Sequence, residues 1–150
     1  MDPRVVNDPE NGPLLLEGLA AIPTISLVTD MANLDIYADP QARGPETERP
    51  VSVEWIDPSG AEPGFQINAG VRIQGGAGRW EHNPKHSFRL FFRRQYGAAK
   101  LHYRLFPDSP VTDFDTLVLR GGVNYGFAGD IPEPGQTVNY RNTTYLRDEW

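Results

Sequence analysis

Between Phe65 and Gln74 the chain alternates without a fault: Phe65, Ile67, Ala69, Val71 and Ile73 are apolar, while Gln66, Asn68, Gly70, Arg72 and Gln74 are polar or small. Successive side chains of an extended chain point to opposite faces, so this pattern requires a strand with one face against a core and the other toward something polar. A single strand leaves its backbone groups unpaired, so neighbours must exist. Ile22–Asp30 reads as a strand beginning after Pro23, and Pro50–Ile56 places Val51, Val53 and Trp55 on one face. Ser87–Arg94 sets Phe88, Leu90 and Phe92 against Arg89, Phe91 and Arg93. Phe114–Arg120 and Lys100–Phe106 complete the set of candidates. Asp57-Pro58-Ser59-Gly60 is a turn in which proline presets φ and glycine permits a positive one.

Helical signals are few. Leu14–Ala21 suits a short helix, weakened by Gly18 and stopped before Pro23. Asn142-Thr143-Thr144 offers capping residues ahead of Tyr145–Trp150, a helix that starts without a stop signal, so the sequence reads as cut short inside a domain. Gly121–Gln136 is rich in glycine and proline and reads as a loop. The expected architecture is α+β: a twisted, mainly antiparallel sheet with a few short helices. Residues 1–21 form a lead-in segment, and 22–150 the beginning of a domain.

Composition narrows the function classes. No apolar run approaches the ~20 residues of a membrane helix, and Met1–Gly12 is polar, with Asp2, Asp8 and Glu10, unlike a secretory signal. The absence of cysteine excludes disulfides and thiolate metal sites. The formal charge of −6 is unevenly spread. Val71–Arg104 holds eight basic residues (Arg72, Arg79, Lys85, Arg89, Arg93, Arg94, Lys100 and Arg104) against Glu81 alone, a net +7, which leaves −13 for the remainder. A basic segment in an acidic chain points either to an anionic ligand or to pairing with acids elsewhere in the chain.

The segment Arg72–Arg89 carries the chemistry of interest. A strand runs into Gly75-Gly76-Ala77-Gly78, a short connection follows, and Lys85 stands at the mouth of the next strand. Glycines let backbone N–H groups converge on an anion, and a nearby lysine adds a point charge. The spacing fits neither the dinucleotide fingerprint, since Glu81 stands where a third glycine would fall, nor a Walker loop. Flanking strands argue against the Gly-x-x-Gly clamp for single-stranded nucleic acid, and no nucleic-acid partner is expected. The plain alternative is a hairpin connection whose glycines only turn the chain. His82 and His86 lie four apart, but Pro84 between them opposes the helix that would align them as metal ligands. Asp113 and Asp115 flank Phe114 and suit a solvated strand start better than a cation site. Trp55, Trp80 and Phe91 suit packing, or stacking on a sugar or base. Arg89 and Arg93 share a strand face and either extend a phosphate site or remain surface cations.

The ordered run of motifs resembles the opening of CotH-type, spore-coat kinase-like domains. It comprises Ile22–Asp30, Glu48–Glu54, Gly64–Gly76, Pro84–Leu90, Tyr96-Gly97, Leu105–Pro110, Phe114–Arg120 and Tyr145–Glu149. The resemblance spans nearly the whole chain and is closest to the version found in large, often secreted, bacterial multidomain proteins, which implies an extracellular or envelope location. It implies an atypical kinase-like fold, of which this chain would be the N-terminal lobe, and ATP with Mg²⁺ or Mn²⁺ as cofactors. A protein phosphoacceptor and the remainder of the kinase domain are the implied partners. Gly75, Gly76, Gly78 and Arg79 would form the loop over the phosphates, and Lys85 the nucleotide-contacting lysine. Arg72, Arg89 and Arg147 would support them. His86 departs from the family pattern, which has a second basic residue after the lysine. The catalytic and metal-binding aspartates of the family lie downstream of Trp150, so no catalytic or metal residue is assigned and this chain alone is expected to lack kinase activity. A non-catalytic β-rich extracellular module, binding carbohydrate or a surface protein, and a scaffold that has lost catalysis are the rival expectations.

Overall fold

The computed structural model describes residues 3–10, 12–81, 83 and 85–121. The expected helix at Tyr145, the loop beyond Gly121, Arg147 and His82 lie outside these residues. Five strands form one sheet in the order β1 (Thr24–Val28), β2 (Arg49–Ile56), β3 (Phe65–Gln74), β4 (Ser87–Phe91) and β7 (Thr116–Leu119). Every neighbouring pair is antiparallel. The connection from β4 to β7 contributes a separate two-stranded ribbon, β5 (Leu101–His102) with β6 (Asp113–Phe114). Two short helices precede the sheet, α1 (Pro3–Val6) and α2 (Leu15–Ala20). The α+β class and the antiparallel sheet therefore hold. No helix among the described residues is long and apolar enough to cross a membrane.

Register converts the sequence alternation into two chemically distinct faces. Leu27 lies beside Val53, Val53 beside Ile67, Val71 beside Leu90, and Leu90 beside Leu117. These side chains share one face with the core, where Val53, Ala69 and Leu90 are fully buried. Phe92 and Leu101 close that core from the ribbon side, and Tyr103, Leu105 and Phe114 pack against it. The opposite face carries Asn68, Gly70, Arg72 and Gln74 of β3 beside Ser87, Arg89 and Phe91 of β4. A slip of one residue would exchange the two faces, so burial of the apolar set fixes the register.

The turn after β2 forms as its residues dictate. Gly60 adopts φ +67° and its N–H donates to the Asp57 carbonyl. The Asp57 carboxylate accepts from the Glu62 and Ser59 amides and from the Ser59 hydroxyl. These donors, the Glu62 amide foremost, hold the Asp57 pKa below its ordinary value. A feature without a signal in the periodicity is the 3₁₀ segment Met31–Tyr37 between β1 and β2. Its Asp35 carboxylate receives Nε and Nη2 of Arg49 at 2.8 Å each, a bidentate pair that lowers the Asp35 pKa.

Candidate functional site

The glycine-rich segment lies in the loop 75–86, which β3 and β4 close where Gln74 meets Ser87. Gly75 takes φ +120°, a conformation that a side chain rarely adopts, and this turns the chain out of β3. Ala77–Arg79 then form one 3₁₀ turn, with the Arg79 amide donating to the Gly76 carbonyl and the Trp80 amide to the Ala77 carbonyl.

Arg79 folds back beneath this turn. Its guanidinium donates to the carbonyls of Gly75 (2.8 Å), Pro40 (3.1 Å), Ala42 (2.8 Å) and Ile73. The residue is buried, and burial, reinforced by the charges of Arg43 and Arg72, lowers its pKa from the ordinary value. Its guanidinium is thus committed to main-chain oxygens and holds the shape of the glycine loop. His86 does the same from the other limb. Its buried ring places Nδ1 2.8 Å from the Gly78 carbonyl, so Nδ1 carries the proton and donates, and the ring packs on Tyr37 with centroids 5.6 Å apart. Asn83 adds a third clamp, Nδ2 to the Ala77 carbonyl at 3.0 Å. Gly121 passes so close to this limb that a Cβ there would stand 2.9 Å from the Lys85 carbonyl oxygen.

Lys85 is exposed, two residues before β4 begins, and makes no hydrogen bond or ion pair among the described residues. Gly76 and Gly78 have open space where a side chain would stand. The loop therefore presents a shaped glycine turn with the lysine on its second limb.

The polar face of β3 and β4 continues directly from this loop. Arg72 stands opposite Arg89 in register, two residue pairs inward from Gln74 and Ser87 and on the same face. Phe91, nearly buried, sits among three guanidinium groups, with centroid distances of 3.9 Å to Arg72, 4.8 Å to Arg93 and 5.4 Å to Arg89. Sequence reasoning assigned no part to Glu48, which is buried beside them, its carboxylate 3.1 Å from Arg72 Nε and 3.5 Å from Arg93 Nη1. Neither contact has hydrogen-bond geometry, so these are charge contacts rather than aligned bonds. Gly70 makes the room: a Cβ there would stand 2.5 Å from Glu48 Oε1 and 2.6 Å from the Tyr96 ring. Burial, opposed by Gln95 and Arg93 and assisted by the Glu48 charge, raises the Tyr96 phenol pKa.

The remaining candidates separate cleanly. Asp113 contacts His102 Nδ1 at 2.5 Å and Asp115 pairs with Lys100 at 2.9 Å, so both aspartates have side-chain partners within the chain. No group of three or more histidines and carboxylates able to hold a metal occurs among the described residues. Trp80 is half exposed, while Trp55 lies against Tyr103 with ring centroids 6.4 Å apart. Pairing with acids and carbonyls elsewhere in the chain accounts for several cations of the basic segment, Arg72, Arg79, Arg93 and Lys100 among them. The chain matches no family model, no curated protein and no solved structure.

Proposed function

We propose that this chain is the nucleotide-binding portion of a CotH-like protein kinase, which in its complete form transfers phosphate from ATP to a protein substrate with Mg²⁺ or Mn²⁺. One observation carries the reading: a glycine turn braced from within the chain joins β3 and β4 of a five-stranded antiparallel sheet, with Lys85 on the limb that leads into β4. Phosphoryl transfer requires the nucleotide's tail to be cradled and its charge neutralised, and a glycine turn with a lysine on the same loop suits the first task. The base and the metal ligands would come from the remainder of the domain. Titration of the protein with a fluorescent ATP analogue tests this. Binding is expected to weaken about tenfold or more in Lys85→Ala, as for loss of a charged hydrogen bond, while the fold is retained. Equal binding by the variant, or none by either protein, would refute the reading.

A second reading draws on a different surface. An open cleft of about 480 Å³ lies between α2 and the turn after β2, lined by Trp55, Tyr103, Asp57, Glu62 and Arg104 among others. Aromatic faces beside carboxylates suit a sugar. Glycan binding abolished by Trp55→Ala, with ATP inert, would favour a carbohydrate-binding module.

A further inference from the structure

The arginine-bearing face of β3 and β4 is electrostatically unbalanced. Three guanidinium groups, of Arg72, Arg89 and Arg93, surround one ring and among the described residues are answered by the single carboxylate of Glu48, an excess of two positive charges. The imbalance falls on Arg89. Register places it directly opposite Arg72, and like charges facing one another across an antiparallel pair destabilise it. Glu48 touches Arg72 and Arg93 but not Arg89, whose side-chain hydrogen bond among the described residues is to the Thr116 hydroxyl at 3.4 Å. The Nε atoms of Arg72 and Arg89 are both buried and lack an aligned acceptor. A buried donor without an acceptor is costly: Arg89 Nε has none and Arg72 Nε meets only the unaligned Glu48 carboxylate at 3.1 Å, a need that an oxyanion on this face would answer.

We infer that this face is a phosphate-class oxyanion site, with Arg72 and Arg89 as its two principal donors. Guanidinium forks suit tetrahedral, multiply charged oxyanions, and those of Arg72 and Arg89 both lie over the Phe91 ring, 3.9 and 5.4 Å from its centroid. Thr116 adds a hydroxyl at the β7 edge of the same face. Position supports a chain of phosphates rather than one. From Arg72 to Gln74, at the start of the glycine turn, is about 7 Å along a strand, so an anion of two or three phosphoryl groups reaches from the arginine pair toward the loop. That the anion is the tail of a nucleotide rests on the function proposed above; the site itself does not.

The test uses inorganic tripolyphosphate, ATP and orthophosphate against the whole chain, by calorimetry at fixed ionic strength. Tripolyphosphate is expected to bind more tightly than orthophosphate. Arg89→Gln is expected to weaken it about tenfold or more, with Arg89→Lys between, because lysine keeps the charge and loses the fork. Protection from phenylglyoxal, mapped by mass spectrometry, needs no variant: saturating tripolyphosphate should shield Arg72 and Arg89 and leave exposed Arg94 reactive. Unchanged binding by Arg89→Gln, or unprotected Arg89 at saturation, would overturn the inference, as would absence of tripolyphosphate binding. The arms separate the two proposals. If tripolyphosphate binds through Arg89 and ATP does not, this site stands and the nucleotide reading falls. If ATP binds through Lys85 with no contribution from Arg89, the reverse holds.

Discussion

Two arginine-centred regions lie at the same end of the sheet and have opposite characters. Under the glycine turn, Arg79 meets four carbonyl oxygens. On the polar sheet face, Arg72 and Arg93 share one carboxylate, and with Arg89 they surround an aromatic ring. The difference lies in acceptors, not in charge. A guanidinium surrounded by acceptors is a structural brace, and one with buried donors lacking acceptors has capacity left for something else. A basic stretch of sequence therefore cannot be assigned a role as a whole, because Arg72, Arg79 and Arg89 divide between the two uses.

The contrast is broken most forcefully at Arg79. Replacing it with Met leaves four carbonyls without their donor and should cost about 3 kcal/mol, seen as a lower urea midpoint with an unchanged m-value. A result near zero would mean that water replaces the guanidinium and that Arg79 is not a brace. Gly70→Ala comes next. Its methyl would press on Glu48 and Tyr96, and a cost of about 2 kcal/mol is expected. If the variant instead displaces Glu48, the tripolyphosphate affinity should rise. Glu48→Gln should cost about 1 kcal/mol. Its partners Arg72 and Arg93 are partly solvated, so the loss falls well below that of a fully buried pair. On the same face Arg89→Gln, without anion, should leave stability unchanged or slightly raised, because it removes the facing like charge; a marked loss would show that Arg89, too, is a brace.

The smallest effect is one of pH. The folded-state pKa of Asp57 is depressed, so its carboxylate adds stability above the unfolded value of 3.8 and loses it as pH falls through the lower folded one. Asp57→Asn should therefore be less stable than the native chain near neutrality, with the gap closing below pH 3.8. Acid titration of the two melting curves measures this, and a gap that persists at low pH would place the effect in the turn's shape rather than its charge.

What the sequence displayed and what it hid follow from range. Strand alternation is local, so Phe65–Gln74 was readable at sight, as was the Asp57–Gly60 turn. β4 ended earlier than its alternation suggested, at Phe91, because the chain turns at Arg93, whose carbonyl receives the Tyr96 and Gly97 amides. The brace role of Arg79 was hidden because two of its acceptors are main-chain oxygens 37 and 39 residues away, and every residue offers such an oxygen. Glu48 was equally silent: one acid in an acidic chain gives no sign that Gly70, in another strand, has left a hollow for it. The facing of Arg72 and Arg89 needed the register of β3 on β4, which alternation alone does not fix.

Arg79, Asn83 and His86 fasten the glycine loop from beneath, partly onto the chain around Tyr37–Ala42. A flap of this length hinged only at its two ends would have to be organised anew by each arriving ligand, and the ordering entropy would be subtracted from affinity. Here that ordering belongs to folding itself. A ligand of the kind proposed would meet a loop already shaped, so its arrival should be limited by encounter and charge steering rather than by closure of the loop.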